Sequence, residues 1–207
     1  MKKKISDWWT YHRRIVVLGL ATAAFAVYAA VSFGEEEKTQ LLAGMLINQV
    51  REEAVTDQME AEFLGGIGGD PETEEVFVDA ALTMDAQELQ KEAIFDLDTQ
   101  ESMAKLTTCV YAHELDFLIA ETAVFDYYQN LNAFADLNGL LTNEQREALE
   151  DVLCTADGKA YGVRIDNTEF IKKYDITLDE PVIGIISGSK RKDAAVKLIA
   201  YLFSAEE

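Results

Sequence analysis

Apolar residues in the larger, C-terminal part of the chain recur at two different spacings, which predicts alternating strands and helices. Short apolar runs predict strands at 75–83, 115–120, 160–165 and 182–187. Stripes with spacings of three and four residues predict helices at 56–64, 101–113, 123–134 and 195–202. The run at 41–49 fits either a buried strand or a helical stripe. The alternation predicts an α/β domain with a mainly parallel sheet flanked by helices.

The run 115–120, LDFLIA, is apolar except for one acid. Such a continuous run is typical of a strand that is covered on both faces of a parallel sheet. We therefore expect Leu118 to lie in the core of the domain.

The longest apolar run lies near the N-terminus, at 15–33, and contains 19 uncharged residues. At about 1.5 Å per residue it roughly spans the bilayer's hydrocarbon core of about 30 Å, so it predicts a transmembrane helix. Basic residues precede it and three glutamates follow it, which places residues 1–14 in the cytoplasm and residues 35–207 outside. The alternative is a cleaved signal peptide with a weak site at Ala24-Phe25-Ala26. In both cases the main domain is extracytoplasmic, and the uncleaved form is a single-pass protein of the cell membrane.

The charge of the chain is strongly asymmetric. Its formal net charge is −20, yet residues 1–14 carry +4, so the remainder carries −24. An exterior domain this acidic repels nucleic acids and anionic surface polymers, so we expect no nucleic acid partner. The segment 35–207 contains two prolines and no long Ser/Gly tract, which indicates one domain without an internal linker.

The two cysteines, Cys109 and Cys154, leave two possibilities open. Outside the cell they could form a disulfide that closes a loop of about 45 residues, worth on the order of 4 kcal/mol. Alternatively, Cys109 packs as a free thiol on the apolar face of its predicted helix. The sequence contains no CxxC, HExxH or Cys/His cluster, so no zinc site is expected.

Residues that could carry out catalysis are scarce. His12 lies in the predicted cytoplasmic tail, and His113 ends the helix predicted at 101–113. The acids of 96–101 resemble the start of a calcium loop, but the central Gly and distal Glu of such a loop are missing. The same acids, with Asp98-Thr99, suit the N-terminus of a helix. We therefore predict no catalytic residue, no metal and no cofactor, and expect that the protein is not an enzyme.

The stretch 103–141 resembles the extracellular solute-binding proteins of ABC importers, and the resemblance covers most of residues 41–204. The resemblance rests on the order and spacing of several short motifs, since no single motif is specific. It implies a fold of the periplasmic-binding-protein type 2. The matching segments are LDFLI at 115–119, FDYY at 125–128, FADL at 134–137, DGKAYGV at 157–163, with Arg164 where the family has Pro, and Ser189-Lys190 followed by the helix that ends in IAYLFS at 199–204.

The chain departs from that family in length, because family members are about twice as long and close two lobes over a ligand. Here residues 142–159 occupy the place where a second lobe would be inserted. The resemblance therefore implies a single lobe, tethered by the predicted transmembrane helix. Three consecutive cations at 190–192 begin the last helix, where they oppose the helix dipole, and we interpret them as an exposed turn.

Ligands of open α/β sheets meet the carboxyl ends of strands. The predicted strands 115–120 and 160–165 end at Glu121-Thr122 and at Asp166-Asn167, junctions that lie near the ligand cleft in the resembling family. We therefore predict that any small polar ligand, such as a sugar or a peptide, would contact Glu121, Thr122, Asp166 or Asn167. The competing interpretation is that Thr122 caps the following helix with its hydroxyl.

The sequence thus predicts a non-enzymatic, membrane-tethered extracytoplasmic domain for ligand or partner recognition at the cell surface. The alternative is a structural or regulatory interaction protein of a membrane complex that has lost ligand binding and docks through its strand-end face. A hydrolase is disfavoured, because no triad or metal set is visible.

Overall fold

The structure is a computed structural model, and it describes residues 38–91 and 96–204. The predicted cytoplasmic tail, 1–14, and the predicted transmembrane helix, 15–33, lie outside the described residues. Within them, no helix is both long and apolar enough to cross a membrane.

Six strands and seven α-helices make up the described domain. The strands are β1 (Thr39–Leu46), β2 (Glu74–Asp79), β3 (Phe117–Glu121), β4 (Leu153–Ala156), β5 (Lys159–Arg164) and β6 (Pro181–Ile185). The helices are α1 (Glu53–Gly66), α2 (Ala86–Leu89), α3 (Leu97–Ala112), α4 (Thr122–Asn130), α5 (Asn143–Ala148), α6 (Glu169–Lys173) and α7 (Lys192–Ser204).

The strands form one six-stranded sheet in the order β2-β1-β3-β6-β5-β4. Strand β1 runs parallel to β2 and to β3, whereas β6 is antiparallel to both of its neighbours, and β4 and β5 form an antiparallel hairpin. The α/β fold class is therefore confirmed, but the expectation of a mainly parallel sheet is wrong, because three of the five strand pairings are antiparallel. The chain reaches β6 after α6 and inserts it, reversed, between β3 and β5.

The sheet separates two hydrophobic clusters. One cluster packs α1, α6 and α7 against one face, with Met59, Phe63 and Phe170 among its members, and the other packs α2, α3 and α4 against the opposite face. Leu118 is 1% exposed at the centre of the second cluster, so its predicted burial is confirmed. All four positions of the predicted C-terminal stripe are buried: Ala195, Leu198, Ile199 and Leu202.

Several side chains join elements that are distant in sequence. Glu62 of α1 accepts hydrogen bonds from the hydroxyls of Tyr174 (2.8 Å) and Tyr201 (3.1 Å) and pairs with Lys173. Burial disfavours the Glu62 carboxylate, but these donors outweigh burial and lower its pKa. The contacts fix α1, α6 and α7 to one another on one face of the sheet.

The one acid of the central strand run, Asp116, lies fully buried just before β3. Its carboxylate accepts hydrogen bonds from the Ala43 amide (2.8 Å), the Ser189 hydroxyl (2.7 Å) and the Arg191 guanidinium (2.7 Å). The interpretation of 190–192 as an exposed turn is therefore wrong for Arg191, which neutralises a buried acid. This ion pair fixes the start of α7 to β1 and β3.

Candidate functional site

The two predicted ligand junctions lie at the same edge of the sheet. Glu121, the last residue of β3, is paired with Pro181 at the start of β6. On the other side of β6, the Ile165 amide donates to the Pro181 carbonyl oxygen (2.8 Å), immediately before Asp166. Because two strand spacings separate the junctions, they lie roughly 10 Å apart. The structure therefore brings both junctions to the carboxyl edge of β3 and β5, with the start of β6 between them.

The carboxyl group of Glu121 lies in surroundings that disfavour its ionised form. Burial raises the pKa of its carboxyl group, and the charges of Asp179 and Asp85 raise it further. Asp85 belongs to the segment after β2, so three different segments bring acids together here. Carboxylates whose pKa is raised by burial and by like charges cluster at functional sites, which makes Glu121 a candidate contact residue.

Thr122 does not cap α4 as the competing interpretation expected. It is the first residue of the helix, whose N-cap residue is Glu121 without a side-chain capping bond. The Thr122 hydroxyl instead donates to the Glu180 carbonyl oxygen (2.8 Å), and the Thr122 amide donates to the Asp179 carbonyl oxygen (3.3 Å). Thr122 thus joins the β3–α4 junction to the turn before β6, and its hydroxyl group already donates a hydrogen bond within the chain.

Asp166 and Asn167 form a local polar pair on the surface. An oxygen of the Asp166 carboxylate lies 3.4 Å from Nε of Arg164, and the other oxygen accepts a hydrogen bond from the side-chain amide of Asn167 (3.3 Å). The Arg164 and Asp166 side chains are each 39% exposed, so these groups can exchange their partners for a ligand at small cost.

The topological switch point lies between β1 and β3, since α1 and α4 leave these strands toward opposite faces of the sheet. Here Asn48 joins the segment after β1 to the segment after β2. Asn48, with φ of 61°, bonds both backbone groups of Met84 through its side-chain amide, at 2.7 and 2.9 Å. No motif in the sequence indicates this role of Asn48, although Asn is one of the few residues that adopt positive φ readily.

A second set of contacts closes the carboxyl end of β1 against the loop after α6. Buried Gln49 bonds Thr177, and Arg51 donates to the Gln49 side chain (2.7 Å) and to the carbonyl oxygens of Tyr174 and Asp175. These bonds hold the rim of the domain in place without a ligand.

Beside Asn48 the described surface forms an open depression of about 360 Å³, which includes Asp85, Asp96 and Asp98. Asp96 caps α3 by accepting from the Thr99 amide (2.7 Å), two residues earlier than the sequence suggested, and the hydrogen bonds of Thr99 lower its pKa. Within 38–91 and 96–204, no group of three or more His, Cys, Asp and Glu side chains could hold a metal ion.

The remaining polar candidates have structural roles. His113 ends α3 in the left-handed conformation, with φ of 58°, and its Nδ1 lies 2.8 Å from the Gly188 carbonyl oxygen. Cys109 and Cys154 are free thiols. Cys109 borders a groove with Met45 and Phe77 of β1 and β2, whereas Cys154 is on β4, so the thiols lie near opposite ends of the sheet, too far apart for a disulfide.

The carboxyl edge therefore presents a shallow surface lined by acids, here called the acidic rim: Glu121, Asp85, Asp179 and Asp166. Such a surface suits contact with a cationic or hydrogen-bonding surface better than enclosure of a small molecule. In comparisons with known proteins, no family model, no curated protein and no solved structure matches this chain.

Proposed function

We propose that this chain is a non-enzymatic, membrane-tethered extracytoplasmic domain, built like one lobe of an ABC solute-binding protein, that recognises a ligand or partner at the cell surface. The single observation that carries the proposal is the convergence of Glu121 and Asp166 on either side of Pro181, at one carboxyl edge. The tether is the apolar run 15–33, and the orientation follows from its basic N-terminal flank.

A single lobe supplies one wall of a cleft, so a small ligand would keep much of its surface in water. Burial of most of a ligand needs a second wall. In this proposal a partner supplies that wall, and the acidic rim around Glu121 contributes charge complementarity rather than a deep pocket.

The alternative is an interaction protein that has lost ligand binding. The internal bonds at the rim favour it, because Asn48 already bonds Met84 and Thr122 already bonds Glu180. A ligand would have to compete with these hydrogen bonds, whereas a protein partner could dock on the rim and leave them intact.

One experiment separates the two functions. Sugars, amino acids and short peptides are titrated into the isotope-labelled protein up to millimolar concentration, and amide chemical shifts are followed at the two junctions. Shifts confined to 121–122 and 166–167 support ligand capture. The matched variant Asp166→Asn should weaken those shifts, while Asp151→Asn, at an exposed site on the β4 side, should leave them unchanged. If no compound shifts either junction, ligand capture is refuted and the interaction protein remains.

A further inference from the structure

Strand β2 is one of the two edges of the sheet. An edge strand offers unpaired backbone groups to any other strand, and natural proteins block such edges by specific means. The centre of β2 reads Val76-Phe77-Val78, a β-prone sequence, and the Phe77 side chain is 49% exposed. The apolar centre of β2 carries no charge that would oppose the addition of another strand, and the acids of β2, Glu74, Glu75 and Asp79, lie at its two ends.

One side chain of α1 closes this edge. The Val78 amide donates to a carboxylate oxygen of Glu60 at 2.8 Å. Because this amide bonds a side chain, it takes no part in the ladder with β1 and points outward from the sheet. Alternate amides of an extended strand point the same way, so two other amides of β2 also point outward from the sheet. The first of these in the chain, the amide of Glu74, already donates to the Asp70 carbonyl oxygen (2.7 Å). The chain's own acceptors thus occupy both ends of the outward row.

The position of the Glu60 carboxylate lowers the stability of the domain. Burial raises the pKa of its carboxyl group; the hydrogen bond from Val78 opposes this rise, and the neighbouring charges of Asp57 and Glu75 add to it. An apolar residue that covered the sheet at this helix position would avoid these costs. Natural proteins accept such losses of stability where a residue prevents an unwanted association.

We propose that Glu60 is an edge guard, whose carboxylate occupies the outer edge of β2 and prevents this strand from pairing with β2 of a second copy of the chain. The unguarded edge is self-complementary. Around a two-fold axis at Phe77, an antiparallel pairing sets the two half-exposed Phe77 rings opposite each other and Val76 opposite Val78. Glu75 then faces Asp79, so salt should strengthen the association by screening this repulsion.

The test compares Glu60→Ala with two controls in the full chain, dispersed in a nonionic detergent whose density is matched for sedimentation. Glu60→Gln keeps an oxygen that accepts from Val78, and Asp57→Ala removes the same charge from an exposed site one turn earlier. Glu60→Ala should double the mass of the sedimenting species relative to the parent as protein concentration rises. The effect should be larger in about 0.5 M salt, where the screening length falls below about 5 Å. Both controls should sediment like the parent.

A second substitution identifies the surface. Adding Phe77→Asp to Glu60→Ala places two further acids at the two-fold axis and should restore the parent's mass. Association that survives Phe77→Asp, or a folded Glu60→Ala chain that sediments like the parent in both salts, overturns the proposal. If Glu60→Ala does not fold, hydrogen exchange on the parent protein provides the test. The Val78 amide should exchange as slowly as the amides of β1 that bond to neighbouring strands. Exchange at the rate of an exposed loop overturns the proposal.

Discussion

Some single carboxylates stabilise this domain and others destabilise it, and the groups around each carboxylate determine its effect. Asp116 is fully buried yet accepts three hydrogen bonds, one of them from Arg191. Glu121 is only half-buried, but its nearest charges, Asp179 and Asp85, have the same sign. The first stabilises the fold, whereas the second costs stability and marks a surface that a cationic partner would relieve.

The first prediction concerns Asp116. Asp116→Asn removes the charge that balances Arg191 and leaves the guanidinium, whose side chain is 27% exposed, with the neutral acceptors of Gln40 and Glu114. We expect a loss of about 2–4 kcal/mol in the free energy of unfolding, because hydrogen bonds between charged groups are strong and a partly buried charge without a counter-charge is unfavourable. Urea unfolding measures the loss. Asp126→Asn, at an exposed site of α4, is the matched control, and equal unfolding midpoints for the two variants would show that the ion pair contributes nothing.

The second prediction concerns Glu121 and pH. Its pKa in the fold is raised above the ordinary value of 4.5, so the ionised form destabilises the fold at neutral pH. As pH falls through the raised pKa, the folded state takes up the proton and the penalty disappears. Glu121→Gln should therefore be more stable than the parent at pH 7, with a difference that shrinks as pH falls through the raised pKa and is lost below 4.5. Urea midpoints at several pH values, compared with those of the exposed control Glu147→Gln, test this; a variant less stable than the parent at pH 7 contradicts it.

At the scale of elements, apolar periodicity predicted where most strands and helices lie but not the direction of every strand. The buried strand at 115–120 and the last helix were found from their apolar pattern alone, and both are confirmed. The run that forms β6 is equally apolar whether it lies parallel or antiparallel, because both of its faces are covered. Its direction depends on where the preceding loop returns the chain, which is a tertiary property.

The β4–β5 hairpin was missed for a different reason. Strand β4 has only four residues, and two of them are exposed, so it shows no apolar run. The signal lies in its turn: Asp157 and Gly158 have φ of 52° and 76°, and an Asp-Gly pair is typical of a two-residue hairpin turn. The same pair also begins the DGKAYGV segment on which the family resemblance rests, and that resemblance indicates only the strand that follows it.

The third prediction concerns strand β3, which lies between β1 and β6. Leu118→Ala removes a side chain that is 1% exposed and leaves a cavity between the sheet and the helices of its cluster. We expect a loss of about 2–5 kcal/mol in the free energy of unfolding. Leu131→Ala, at a position that is 60% exposed, should change it little. Thermal or urea unfolding of both variants provides the measurement, and a Leu118→Ala protein that unfolds like the parent is incompatible with a central role for β3.

At the scale of the whole molecule, the strand ends and the family resemblance predicted a ligand contact at the two junctions, and the structure brings both junctions to one edge, because β3 and β5 both end there. It could not predict how the rim is closed. The bonds between Asn48 and Met84, and between Thr122 and Glu180, join residues 36 and 58 positions apart. No local pattern encodes such pairs, so the sequence predicted a single lobe with one wall of a cleft but not the bonds that close its rim.

The last prediction concerns the topology of the full chain. The charge of +4 before the apolar run and the three glutamates after it predict a single pass, with the N-terminus inside the cell. Protease added to intact cells should therefore remove residues 35–207 and leave a short membrane-bound fragment. An N-terminal epitope should be digested only after the membrane is permeabilised. Protection of residues 35–207 in intact cells, together with digestion of the N-terminal epitope, would reverse the orientation and remove the cell-surface role.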